Sequence, residues 1–227
     1  MRLMIVLALL AVACGTREET ALPPPAESPA PGDPPQSDPA PPTDTSPAPD
    51  QRPATREDTV TVEGMPEVVT SRLVTSPSGF PVPFSTYVPP GLNTSFEQPG
   101  AVKFTAAFAG NVNPRAYMLV RVYGPGSPRP SASDVLDELM RSSGADEHET
   151  VPADRPGWAL ETIGFRYIAA DTDRTNFTGS ITIGQHGDSY FHIVRNYPVE
   201  YGDGLPPRLH TILRHWRWED TGEMLMQ

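Results

Sequence analysis

The chain has 227 residues, a formal net charge of -11 and one cysteine, Cys14. No disulfide and no cysteine metal centre can form within it. Its sixteen Arg and single Lys form no basic block, which argues against nucleic acid as a partner, because that needs clustered cations to displace counterions.

Met1 to Gly79 contain no aromatic residue, and all eighteen Phe, Tyr and Trp lie at Phe80 or beyond. A core needs large apolar side chains, so one folded domain is expected over Arg56–Gln227, after a linker over Cys14–Thr55. The domain stretch carries a net charge of -7, which disfavours electrostatic adhesion to anionic lipid heads.

Met1-Arg2 is a minimal positive start, and Leu3–Ala13 is an apolar run of eleven residues. That is too short for a spanning helix, which needs about twenty, but suits the apolar region of a signal peptide. Leu10-Ala11-Val12-Ala13-Cys14-Gly15 resembles the lipobox of bacterial lipoproteins, with Ala11 where that family prefers Leu. The resemblance implies that residues 1–13 are removed and that Cys14, acylated with palmitate-type chains, becomes the first mature residue. Each buried methylene adds about 0.8 kcal/mol of membrane affinity, and two chains suffice for stable anchoring. Ordinary secretion is the alternative, since Ala11-Val12-Ala13 is itself an A-x-A cleavage site; an uncleaved anchor is a third. Gly15 is not the Asp that resembles an inner-membrane retention signal, so an outer-membrane address is preferred in a Gram-negative cell.

Ala21–Pro53 holds thirteen of the twenty-nine prolines and no apolar bulk after Leu22. Nothing there offsets the entropy of ordering, so a disordered tether is expected. At about 3.1 Å per residue a polyproline-like spacer of this length reaches on the order of 100 Å. A Pro-Ala-Pro ligand for an SH3-type domain is a weaker reading, because such partners are mostly cytosolic.

Within the domain, Glu67–Thr75 and Val82–Val88 read as strands joined by a longer loop, with Pro83 demoting the second toward an edge. Pro89-Pro90-Gly91 ends it. Ala101–Phe108 and Ala116–Tyr123 alternate cleanly, with Asn111–Pro114 as the turn between them. Ser131–Ser142 reads as a helix, capped by Ser131 with Asp134 and stopped by Gly144. Trp158–Ala169, Phe177–Gly184 and Ser189–Tyr197 are three more strands, the last two joined at Gln185–Asp188. Pro206 and Pro207 suit a helix's first turn, and Leu205, Leu209, Ile212, Leu213 and Trp216 make its stripe, with Arg214 and Arg217 near the end.

The order ββββ–α–βββ–α indicates an α+β domain: a mainly antiparallel sheet with two helices packed on it. This layout over Glu67–Trp218, with its closing Tyr197-Pro198…Trp216 segment, resembles the PsbP-like α/β/α sandwich. The resemblance implies a non-catalytic domain that binds or helps assemble other components.

No G-x-S-x-G turn is present to expose a nucleophilic serine. A triad assembled from distant residues is not defined by spacing and stays open. His210 and His215 are five apart, which on a helix points them about 140° from each other and not at one metal. His186 and Asp188 read as surface turn formers, and His192 as a half-exposed sheet residue. Asp171-Thr172-Asp173 begins like a calcium loop, but no Gly follows at the sixth position and Thr182 stands at the twelfth. No metal or cofactor is expected. The most distinctive stretch is Tyr197–Gly204, whose aromatics flank a Gly-rich loop before a helix. The candidate contacts for a ligand or partner are Tyr197, Tyr201, Asp203, Arg208 and Trp218. The alternative at each is ordinary packing of a turn and helix.

The expectation is thus a lipid-anchored envelope protein whose domain binds an envelope protein or polymer without catalysis. A small-molecule or lipid carrier and an envelope hydrolase are the competing readings. Mass spectrometry of the mature N-terminus is expected to find an acylated Cys14; an unmodified chain starting at Cys14 would rule the anchor out.

Overall fold

The computed structural model describes residues 52–97, 100–145, 147–171 and 173–226. The signal, Cys14 and the proline-rich stretch up to Gln51 lie outside them. The described order is β1 (Thr55–Val62), β2 (Met65–Thr75), β3 (Phe84–Val88), β4 (Leu92–Glu97), β5 (Ala101–Phe108), β6 (Asn111–Val122), α1 (Ala132–Ser143), β7 (His148–Val151), β8 (Ala159–Ile168), β9 (Asn176–His186), β10 (Ser189–Pro198), a 3-10 turn (Val199–Tyr201), α2 (Leu205–Arg214) and β11 (Arg217–Trp218). The class is α+β, as expected. One antiparallel sheet runs β4-β5-β6-β10-β9-β8-β7 and a smaller one β1-β2-β3-β11.

Strand β10 lies in the middle of the larger sheet and feeds two cores. Phe191 and Ile193 join Phe104, Met118 and Val120 of the same sheet. Against them pack Phe84 and Val88 of the smaller sheet and Leu209, Ile212 and Leu213 of α2. Val194 points the other way, with Phe165, Phe177, Ile181 and Ile183 under Leu136, Leu139 and Met140 of α1. Because side chains alternate with period two, the larger sheet is apolar on both faces and needs a layer on each. Trp216 stacks on Phe84 at 3.9 Å between centroids, and both are fully buried.

Local chemistry sets the ends. Ser131 accepts from the Asp134 N–H at 3.1 Å and caps α1, and Gly144 closes it at φ 66°. β1 and β2 are joined by Glu63-Gly64, both at positive φ, the conformation of a two-residue hairpin turn that matches strand twist.

Several sequence expectations are corrected. β1, β4 and β7 had no counterpart in the sequence reading; they are edge or near-edge strands with few buried apolar residues. The turn between β5 and β6 is Ala109-Gly110, both at positive φ, so Asn111–Pro114 is strand. β3 is not an edge: Pro83 precedes it, and β11 pairs alongside through Arg217↔Ser85 and Trp218↔Phe84. Arg217 is therefore in a strand, α2 having ended at Arg214.

β1 places one carboxylate in a buried position. Asp58, 6 % exposed, takes His215 Nε2 at 2.8 Å and Arg214 Nη2 at 3.2 Å on the same oxygen. The contact ties β1 to the end of α2. Without Asp58 the buried His215 Nε2 loses its partner, while exposed Arg214 turns to water. Asp58→Ala is therefore expected to destabilise the fold by about 2 kcal/mol, measured by urea unfolding; a loss under about 0.5 kcal/mol would show that the clamp is dispensable.

Candidate functional site

The layer formed by the smaller sheet and α2 covers only part of the larger sheet. No residue of β7, β8 or β9 belongs to the core beneath it. Phe191 and Ile193 are 1 % and 2 % exposed, whereas Arg195 and Tyr197, next on the same face of β10, are half-buried. Opposite them on β9 stand Ser180 and Thr178, and beyond these on β8 Gly164 and Arg166. Where the cover is present the same face is closed: the Phe191 ring lies on the bare backbone of Gly184, where a Cβ would come within 2.2 Å of it. The uncovered part is thus polar and rich in hydroxyls. It opens beside Val199 and Ile168, both exposed, into a shallow cleft of about 1100 Å³ lined also by Arg166, Thr178, His148 and Glu149.

The electrostatics of this face are lopsided. Arg195 makes no ion pair or side-chain hydrogen bond among the described residues. Burial pushes its guanidinium below the ordinary value, and only the Tyr197 phenol opposes that shift. Burial likewise raises Tyr197, with Arg195 working against it. His210 of α2 is pushed down by burial first, then by Arg195 and Arg214. A cation therefore sits among groups that are neutral at pH 7.

Of the residues singled out from sequence, Tyr197 lies on this face. Tyr201 stacks on Phe108 at 5.7 Å. Arg208 is held nearby: Nη1 donates to the Gly204 carbonyl at 2.9 Å, Nη2 meets Glu67 Oε2 at 3.1 Å, and the guanidinium lies 5.3 Å from the Phe108 centroid. Gly91, at φ +80°, makes room for that ring, since a Cβ would come within 2.9 Å of it. These contacts fix the start of α2. Asp203 is exposed in the turn between Tyr201 and the helix. Trp218 is not with the others: it is 2 % exposed and packs on His186, Phe191 and Trp216.

The sequence reading missed Arg195, Arg166, Thr178 and Ser180. One signal was available. Arg195 falls on the face of Phe191, Ile193 and Tyr197, where alternation calls for an apolar residue.

Three of the five histidines are engaged elsewhere. His186 is buried rather than a surface turn former, stacked on Trp218 at 4.6 Å with Nε2 3.0 Å from Asp220. His192 is buried rather than half-exposed, and its Nδ1 lies 2.9 Å from the Tyr123 hydroxyl. His215 meets Asp58. Among the described residues no serine or threonine hydroxyl is hydrogen-bonded to a histidine, and no three metal-ligating side chains gather. Asp171 is paired with Arg115, which holds its carboxyl below the usual range, and it also accepts from the Thr175 N–H, as an inter-strand loop residue does. No helix among the described residues is long and apolar enough to cross a membrane.

Neither a family model nor a curated protein matches the chain. Among solved structures it is similar to the cyanobacterial PsbP (CyanoP) of Synechocystis sp. PCC 6803, with a TM-score of 0.42 and 13 % identity over 64 % of this chain and 92 % of that one. That protein bears the name of the group whose sandwich the element order resembles; a likeness of this size carries no argument about function.

Burial, then Arg121, pushes His192 from 6.5 down to about 4. The unfolded chain therefore takes up a proton here before the native one does, and stability falls as pH drops from about 6.5 to 4. Full expression of that shift is on the order of 3 kcal/mol. His192→Gln keeps an acceptor for Tyr123 and is expected to flatten the profile of unfolding free energy over this window; an unchanged slope would remove His192 as its cause.

Proposed function

We propose that the chain is an exported bacterial lipoprotein, held to its membrane by acyl chains on Cys14, whose domain is a non-catalytic binding or assembly module for an envelope protein or polymer. Its proline-rich stretch acts as the spacer that carries the domain away from the bilayer. The observation that supports the binding role best is the uncovered half of the larger sheet's face. A shallow, polar, open surface suits docking against an extended partner, whereas catalysis favours an enclosed cleft in which a base and its nucleophile converge. A mixed rim of exposed Ile168 and Val199 beside arginines and hydroxyls has the character of a transient interface.

A second reading, a small-molecule or lipid carrier, is favoured by one groove. It runs between α1 and the sheet, about 370 Å³ in volume, and is lined by Leu119, Val135, Leu139 and Val194 with Tyr117 and His192. Its size suits a small ligand, and its walls are largely spoken for by the core under α1.

Photo-crosslinkers placed at Ile168 and at exposed Val68 of β2 in the full chain, expressed in its own cell type, separate the readings. The open-face site is expected to give a discrete protein or polymer adduct and the β2 site none. Equal or absent labelling at both, together with turnover of a substrate, would refute the binding role.

A further inference from the structure

Arg195 occupies a position that the fold would otherwise give to an apolar residue. It follows Phe191 and Ile193 on one face of a central strand, and it is half-buried. Desolvating a guanidinium without a counter-charge is costly, and charges so placed in folded proteins are generally paired or bind something. No carboxylate among the described residues answers it. The groups around it are the hydroxyls of Ser180, Thr178 and Tyr197 and the imidazole of His210. None is an acid, and the Ser180 and Tyr197 hydroxyls can donate, whereas that of Thr178 already donates to the Phe165 carbonyl at 3.4 Å. Two strands across, in register with Thr178, stands Arg166, exposed and within no ion-pair distance, with Glu149 of β7 directly opposite it on its outer side. With strands about 4.8 Å apart, the two arginine strands are separated by roughly 10 Å, so the cations flank a floor of hydroxyls.

We propose that Arg195 is the centre of an oxyanion subsite on the open sheet face, taking a carboxylate or phosphate group presented by the ligand, with Arg166 as its outer wall. The planar guanidinium fork matches either group through two parallel N–H···O bonds, and the Ser180 and Tyr197 hydroxyls supply the remaining donors. The attraction is local, since the chain as a whole carries a charge of -11. The assignment rests on the reading of this face as the binding surface, but on neither the lipid anchor nor the identity of a partner.

The test is titration of the purified full chain with inorganic phosphate and, separately, with acetate in low-salt buffer, followed through the His210 imidazole signals by NMR. Saturable binding of one or both at millimolar concentration is expected, and the preferred anion tells a phosphate site from a carboxylate one. Arg195→Gln is expected to weaken binding at least tenfold, and Arg166→Gln severalfold. Because Arg195→Gln removes an uncompensated charge, its melting temperature should equal or exceed that of the parent, which separates lost binding from lost folding. Ser180→Ala, which keeps both cations and removes the hydroxyl directly opposite Arg195, should weaken binding severalfold. No response of His210 to either anion, or unchanged affinity in Arg195→Gln, would overturn the assignment. Failure of the crosslinking with success here would leave the subsite standing without a partner; the reverse would place the partner's contacts elsewhere on the face.

Discussion

Strand β10 has to satisfy two cores at once, and most of the architecture follows from that. Its even-numbered side chains go toward α1, and its odd-numbered ones toward the smaller sheet and α2. A strand buried on both sides has no tolerance for unanswered polar groups. On the α1 side the rule is kept even where the residues are polar. His192 meets the Tyr123 hydroxyl, and Asn196 accepts from the Tyr167 hydroxyl at 3.1 Å while donating to the Arg115 carbonyl at 2.9 Å. Arg195, between them on the opposite face, is the exception, and it stands where the covering layer runs out.

The covering layer is itself held by few residues. The smaller sheet contributes Phe84, on which Trp216 lies, and Asp58, on which the end of α2 is pinned. The first is non-directional burial and the second a directed ionic contact, so one supplies adhesion and the other orientation. At the opposite end of α2, Arg208 and Tyr201 close on Phe108 above Gly91. With both ends of the helix fixed, the boundary of the cover is fixed too, and with it the extent of the open face.

How much of this was legible in the sequence depended on where the apolar residues fell. β5 and β9 alternate without interruption, β10 does so but for Arg195, and both helices carry an apolar stripe with start signals, so they could be read directly. β1 could not, because its inward positions are Asp58 and Val60, and a buried carboxylate looks like a solvated one until its partners, about 157 residues away, are known. The continuation of α2 to Trp216 was a natural misreading: Trp216 keeps helical spacing with Leu209 and Ile212, but His215 ends the helix and the tryptophan is delivered by the turn that follows. Of the candidate site, Tyr197 was legible as an aromatic beside glycines. Arg195 was visible only as a break in a pattern, and the meaning of the break depends on what covers the strand, which no local pattern encodes. Tyr201 and Arg208 stood out beside a Gly-rich loop, but their structural role was not legible, since their neighbours in space are Phe108 and Glu67 of distant strands and Gly91 in the turn before β4.

A face of this kind would be a weak binder in free solution. A guanidinium, a second cation and a few hydroxyls fix orientation more than they supply affinity, because much of their gain is spent in desolvation and ordering. On the proposed anchor, weakness is no handicap. A domain so tethered samples only the volume within the tether's reach, so any partner fixed in the same envelope is met at an effective concentration set by that reach and not by bulk abundance. Under that condition an open surface has an advantage over a deep pocket: it can engage one repeating or extended partner, release it, and engage the next without a conformational step. The acidic surface then acts as a filter. A net charge of -11 disfavours polyanions at long range, so on the proposed subsite an anionic group is met by Arg195 and Arg166 only at contact distance.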